Sequence, residues 1–390
     1  MDFRRHAFQT LFFTSFALLF QISPAVAITE TITFSEDGKR KTVEGRLLYE
    51  FAEFVVLQGR DGQIHRIAPK DISDRRLNDH DFVPMEESEL IKELEKEFPE
   101  TFGFKILKGK RYIVVYNTSR AYADWAMKLF EQLYDSYLRF WRQRGAELDK
   151  HDFPLVAVIF RNPVEFNSYA LKDAGGTGMA AYYNVLSNRI ILCDLMGIET
   201  FLAQSTKKAT SSDLEAFLDR PLAAYNIATI IHEATHQVGY NCGMHERLSP
   251  TPVWICEGLA VLHEVPTRDR RTGWSISLKI NGNRLTHLRR YLSTRPDRPL
   301  QRIIESDKPF HIVSQQDAAA DSYAMAWGLT YYLANKKPKE LTAYLAKVGN
   351  KSRLAPDAPE IRIKDFEDCF GDDWDKLYKD LGKYLKGLMK

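Results

Sequence analysis

Two histidines four residues apart stand inside an apolar run, Ile230-Ile231-His232-Glu233-Ala234-Thr235-His236, and no other feature constrains the fold of this chain so tightly. Ile227, Ile230, Ile231 and Ala234 recur at helical spacing, which predicts a helix over about 222–240 with those residues on its buried side. Positions i and i+4 of a helix share one face, so both imidazoles can reach one ion, with Glu233 beside the next coordination position. The plainer reading of the same residues is a helix whose two histidines are satisfied within the core or by solvent.

A catalytic zinc needs a third protein ligand and one open position. Cys242 follows the Gly239 turn at the place where a third ligand can stand. Glu257 begins a second helix in Trp254-Ile255-Cys256-Glu257-Gly258-Leu259-Ala260, after the 250–252 proline loop and before Pro266. Glu257 is preferred, because its neighbours Trp254, Ile255, Leu259, Val261 and Leu262 are apolar and argue against an ordinary exposed helix-start carboxylate. Glu264, seven residues further on, can orient a ligand from behind, although a surface ion pair is the simpler expectation.

The N-terminus predicts the compartment. Arg4 and Arg5 precede an apolar stretch from Ala7 to about Ile22, and Ala25-Val26-Ala27 provides small residues at a cleavage spacing, as in a secretory signal peptide spanning 1–27. The mature chain is expected to be exported, periplasmic or extracellular, with no stable membrane span. With 54 basic and 52 acidic side chains in 390 residues, the charge balance excludes a strongly basic nucleic-acid binder. Four cysteines are too few for a disulfide scaffold. In an oxidising compartment Cys242 and Cys256 are one available pair. Their loop has 256 − 242 + 1 = 15 residues, and closing it is worth about 3 kcal/mol.

Short β-rich runs at 31–34, 42–45, 54–57 and 64–67, separated by Asp37-Gly38 and Asp61-Gly62 turns, predict a small barrel over 28–80. An acidic, proline-flanked segment over 81–101 reads as a linker with a short helix. Beyond it the pattern mixes helices and strands. Tyr112–Tyr116 and Leu155–Phe160 are strands. Ser119 caps a helix with Ala123, Ala126, Phe130, Leu133, Tyr137 and Phe140 on its apolar face, and Asn162 with Glu165 forms a capping box. Ala181–Leu186 and Arg189–Cys193 form a hairpin.

The residues His232-Glu233-Ala234-Thr235-His236-Gln237, Asn241 and Trp254–Ala260 are similar to those of the gluzincin metallopeptidases, especially the thermolysin-like aminopeptidases. The stretch from about Phe102 to Leu388 resembles a bacterial family of exported proteins known as domain of unknown function 1570, through Tyr112–Tyr116, Phe140-Trp141, Asn188-Arg189, Tyr323-Ala324, Ala326-Trp327, Phe366 and Phe370-Gly371. Residues 28–80 resemble an SH3-like domain, on the Asp61-Gly62 turn and Pro69-Lys70-Asp71-Ile72-Ser73. The expected fold class is therefore α+β: a zincin-like, thermolysin-type metallopeptidase domain over 102–390, preceded by a small SH3-like β-barrel.

The gluzincin resemblance implies that His232, His236 and Glu257 bind zinc and that Glu233 is the general base. It makes Tyr323 a candidate to steady the oxyanion; the alternative is a core tyrosine with a satisfied hydroxyl. The expected activity is hydrolysis of peptide bonds in a peptide or protein substrate. Aminopeptidases of this group anchor the substrate amine with a glutamate in a glycine-rich edge-strand motif. The comparable segment here, Gly175-Gly176-Thr177-Gly178-Met179-Ala180, has no carboxylate, which points to an endopeptidase. A catalytically silent binding module and a zinc hydrolase of another amide-like bond are the alternatives.

Overall fold

The computed structural model describes residues 29–149, 151–176, 180–196, 210–269, 273–275, 278–311, 316–351, 354–355 and 357–388. The expected signal segment, 1–27, lies outside them, as do residues 177–179 of the glycine-rich segment. The fold is α+β. Among the described residues no helix is long and apolar enough to cross a membrane.

Strands β1 (Thr29–Glu36), β2 (Lys39–Glu50), β3 (Val55–Gly59) and β4 (Ile64–Ile67) form an antiparallel meander, and β5 (Ile72–Leu77) returns to pair with β1. The turn between β1 and β2 places Asp37 and Gly38 at φ 49° and 74°, the left-handed pair that a two-residue hairpin requires. Ile32, Phe34, Val55, Leu57 and Ile67 make the core of this sheet. The expected barrel does not close. The strand order is β4-β3-β2-β1-β5, so β4 and β5 are the two edges of an open sheet. A single three-ten turn, Pro69–Asp71, joins them. The outer edge of β4 is engaged elsewhere, with the Ile64 N–H donating to the Leu186 carbonyl at 2.8 Å.

The segment read as a linker carries helix α1 (Glu87–Glu97), whose Leu90 and Leu94 are buried against the second sheet. That sheet contains β6 (Lys105–Lys108), β7 (Tyr112–Tyr116), β8 (Leu155–Phe160), β9 (Ala181–Asn184) and β10 (Arg189–Cys193), in the order β6-β7-β8-β10-β9. Strands β7, β8 and β10 run parallel, while β6 and β9 are antiparallel edges. The central strands are buried on both faces, which explains their unbroken apolar sequences. Alternate residues point to opposite layers. Tyr112, Val114, Ala157 and Ile159 join one core with α2 (Arg120–Arg142), whereas Ile113, Val115, Val156 and Val158 pack with α1 and α3 (Pro163–Asp173).

Ser119 caps α2 by accepting from the Tyr122 N–H, and the expected apolar face is the buried one. Asn162 caps α3 in the same way, but the reciprocal half of a capping box is not made. The Glu165 carboxylate instead accepts from Arg161 and Asn117.

The helical remainder comprises α4 (Ser211–Leu218), α5 (Pro221–Asn241), α6 (Val253–Leu262), α7 (Gly282–Ser293), α8 (Pro299–Glu305), α9 (Gln316–Lys336), α10 (Pro338–Gly349), α11 (Pro359–Phe370) and α12 (Trp374–Gly387). Helix α6 is buried from Trp254 to Leu262 and lies against α9. Gly258 permits the approach, because a Cβ there would stand 2.2 Å from Thr330 Oγ1.

Candidate metal centre

Helix α5 carries the centre. Ile227, Ile230, Ile231, Ala234 and Val238 are buried in the main core, which turns His232 and His236 together toward α6. The rings are 4.9 Å apart and nearly perpendicular, with their Nε2 atoms 3.2 Å apart.

Glu257 arrives from α6. This helix starts after Pro252 with no cap of its own, and Asp307 serves as one by accepting from the Val253 N–H at 3.0 Å. Arg362 of α11 holds Asp307 through two hydrogen bonds of 2.7 Å. The Glu257 carboxylate consequently stands 3.2 Å from His232 Nε2 and 3.5 Å from His236 Nε2. One ligand atom from each of His232, His236 and Glu257 falls within 4.8 Å of the other two, and all three residues are buried.

The donor set fits a metal ion. Glu257 Oε2 is buried and, despite its proximity to His232, makes no hydrogen bond of sound geometry. Removing a carboxylate from water without a full set of partners costs several kcal/mol. Two imidazole nitrogens 3.2 Å apart likewise need a shared proton or a cation between them. Burial alone would raise the Glu257 carboxyl, but the His236 and His232 imidazoles hold it well below the ordinary range. For His232, burial opposes protonation, yet the adjacent Glu257 and Glu264 carboxylates push the imidazole up to about 10. This pocket is built to stabilise positive charge.

Glu264 is not the surface ion-pair residue that was the simpler expectation. Its Oε1 lies 3.1 Å from His232 Nδ1, so it sits directly behind a residue of the cluster. Arg284 donates to Glu264 at 3.0 and 3.3 Å, and Asn281 donates at 3.0 Å. Asn281 also caps α7 by accepting from the Arg284 N–H. Arg284 and Asn281 were not foreseen, although Asn281 before a helical pattern is a legible cap.

Glu233 is buried, and its Oε2 accepts from the Tyr183 N–H of edge strand β9 at 2.9 Å. Tyr323 comes from α9 and is partly buried, packed edge-on against Phe310 with the Arg284 guanidinium 5.6 Å from its ring centre. Burial raises this phenol well above its usual value and the Glu257 charge reinforces the effect, which keeps it protonated as a donor.

Cys242 takes no part in the cluster: its thiol faces the Gly239 carbonyl at 3.8 Å. Cys242 and Cys256, one pair available for a disulfide, are not joined: Cys256 faces the Tyr240 hydroxyl at 3.6 Å, and all four cysteines are free. Burial pushes both thiols up to about 12.

Residues 226–355 match the family model described as protein of unknown function (DUF1570). The matched segment holds the three cluster residues together with Glu233, Glu264, Arg284 and Tyr323, but neither of the two five-stranded sheets. It supports the resemblance to that family over a narrower span than 102–388. No curated protein matches the chain.

Proposed function

We propose that this chain is an exported zinc-dependent peptidase of the zincin type, with His232, His236 and Glu257 as ligands and Glu233 as general base. The observation carrying this reading is the buried Glu257 oxygen left without a hydrogen bond beside two converging imidazoles. Two imidazoles and a carboxylate also suit ferrous iron. A buried carboxylate next to a ligand histidine favours hydrolysis, which needs a proton acceptor for water.

Zinc held there supplies Lewis acidity, polarising a carbonyl and lowering the pKa of water toward ~7. The protein's own groups do the rest. Glu264 accepts from His232 Nδ1 and so presents the Nε2 lone pair to the centre. Glu233 takes the proton from the attacking water and passes it to the leaving amine, while the Tyr183 N–H fixes the orientation of its carboxylate. The Tyr323 hydroxyl donates to the oxyanion as charge develops. The outer edge of β9 offers backbone groups to an extended peptide. Export after cleavage near Ala27 and an SH3-like ancestry for residues 28–80 belong to the same reading.

The test is metal analysis of the purified full chain, paired with digestion of unfolded casein. About one zinc per chain, with hydrolysis abolished by a chelator and restored by zinc, is the expected result. A folded protein that binds no zinc would overturn the proposal.

A further inference from the structure

The β9–β10 hairpin is held from outside its own sheet. Val185 and Leu186 follow directly after β9, and both of their carbonyls are occupied. Arg247 donates to the Val185 carbonyl at 3.4 Å, and the Ile64 N–H of the N-terminal sheet donates to the Leu186 carbonyl at 2.8 Å. The same Arg247 nitrogen donates to the Gly62 carbonyl at 2.8 Å, so one buried guanidinium joins the N-terminal sheet to the catalytic hairpin.

The 59–63 turn is itself immobilised. Gly62 lies at φ 82° against Phe153, where a Cβ would stand 2.8 Å from the ring. Arg60 forms a two-pronged pair with Glu89 of α1. Two residues before Val185 is Tyr183, whose N–H holds Glu233. On its other side the hairpin is tied to α5, with Asn188 receiving Gln237 and Asn241.

We propose that the N-terminal sheet is a positioning part of the hydrolytic site, acting through Arg247 and Ile64 to hold β9 at the height where the Tyr183 N–H meets Glu233. This inference rests on the peptidase reading for its catalytic consequence, but the brace itself is structural. Their bonds run to Gly62, Val185 and Leu186 rather than to the metal ligands, so their loss should alter turnover without emptying the centre. The chemistry at Glu233 depends on the placement of one carboxylate, and misplacement on the ångström scale costs orders of magnitude in rate.

The experiment uses the full chain with Arg247→Ala, Arg247→Lys and Ile64→Pro. The Ile64 N–H lies on an edge and faces away from its own sheet, so proline removes one brace bond without breaking the ladder; it also trims Ile64 from its cluster with Phe54 and Val56, a loss that Ile64→Ala, which keeps the N–H, reproduces alone. Amide exchange of the 180–188 segment, zinc content, thermal midpoint and casein hydrolysis are measured on each. In Arg247→Ala and Ile64→Pro we expect exchange at Tyr183 to rise at least about tenfold and kcat per bound zinc to fall by a similar factor, with KM and zinc content kept. Arg247→Lys should recover part of both effects. If Arg247→Ala fails to fold, Ile64→Pro carries the test.

Unchanged Tyr183 exchange in a folded variant would overturn the brace. Faster exchange with unchanged turnover would overturn its positioning role. If the wild-type chain hydrolyses nothing, the peptidase reading fails, while the exchange data still decide whether the brace exists.

Discussion

Glu264 lies 3.1 Å from His232 Nδ1 and brings Arg284 and Asn281 with it, so a histidine of the cluster is fixed from behind by residues of two other structural segments. Such an outer carboxylate sets the tautomer and raises ligand basicity. Glu264→Ala should weaken zinc affinity by about 10–100-fold. Glu264→Gln, which keeps an acceptor, should weaken it less. Competition with a chromogenic chelator reads both constants, and equal affinity in all three proteins would remove this role.

The choice of third ligand is tested by paired substitution. Glu257→Ala removes the only carboxylate in the cluster and should abolish tight zinc binding, since a catalytic zinc is held by three protein ligands and two would remain. Cys242→Ala should leave it intact. Retained zinc in the first variant with loss in the second would show that the thiol, not the carboxylate, is the ligand.

Base and electrophile separate by what they leave behind. Glu233→Gln should keep zinc and the fold while hydrolysis falls by several orders of magnitude, since the water loses its proton acceptor. Tyr323→Phe should cost about 10²-fold in kcat, the usual loss for one oxyanion donor. Steady-state kinetics on zinc-replete protein distinguish them. Undiminished turnover in Glu233→Gln would discard the mechanism.

Acid sensitivity has an identifiable source in His263. This residue is buried among Tyr137, Phe140 and Trp141, and neither ring nitrogen has a hydrogen-bond partner among the described residues. Burial, aided by Arg144, holds its imidazole near 3 against an ordinary 6.5. Between those values the unfolded chain binds a proton that the folded chain does not, so stability is intact above 6.5 and falls as pH drops toward 3. The slope is about 1.4 kcal/mol per pH unit for one such group. His263→Phe should therefore raise the thermal midpoint more at pH 4.5 than at pH 7. An equal gain at both values would show that the histidine does not titrate on unfolding.

Endopeptidase action predicts indifference to a blocked N-terminus. One peptide with free and acetylated N-termini should be cleaved at the same internal bond at similar rates. Stepwise release of N-terminal residues, abolished by acetylation, would mean that an acidic residue elsewhere anchors the substrate amine.

The parts of the centre visible in the sequence are those encoded locally. The four-residue histidine spacing and the buried face of α5 follow from helical periodicity alone, and the apolar company of Glu257 marked it as an inward carboxylate. Glu264 was misjudged because it lies beyond the end of α6, where a helical projection no longer says which way a side chain turns. Arg284 reaches it from twenty residues downstream, through tertiary packing that no spacing encodes. The Tyr183 N–H is a backbone donor and has no sequence signature at all. The strands of the N-terminal sheet were legible from alternation and turn residues. Whether its edges meet depends on long-range pairing, and the outer side of β4 instead bonds to Leu186, in the turn between β9 and β10.

The Asp307–Arg362 pair sets the shortest chain that can hold the centre. All three cluster residues lie inside the 226–355 match, yet the cap on α6 is fastened by Arg362, beyond its end. A chain cut after residue 355 would keep each side chain of the cluster and lose the clamp on Asp307. It would also strip Phe366 from the rings of Trp254 and Tyr344, baring the helix that carries Glu257. Attempts to isolate a minimal metal-binding fragment should therefore extend through α11 and α12, and a fragment ending at 355 should recover little zinc even when it stays soluble.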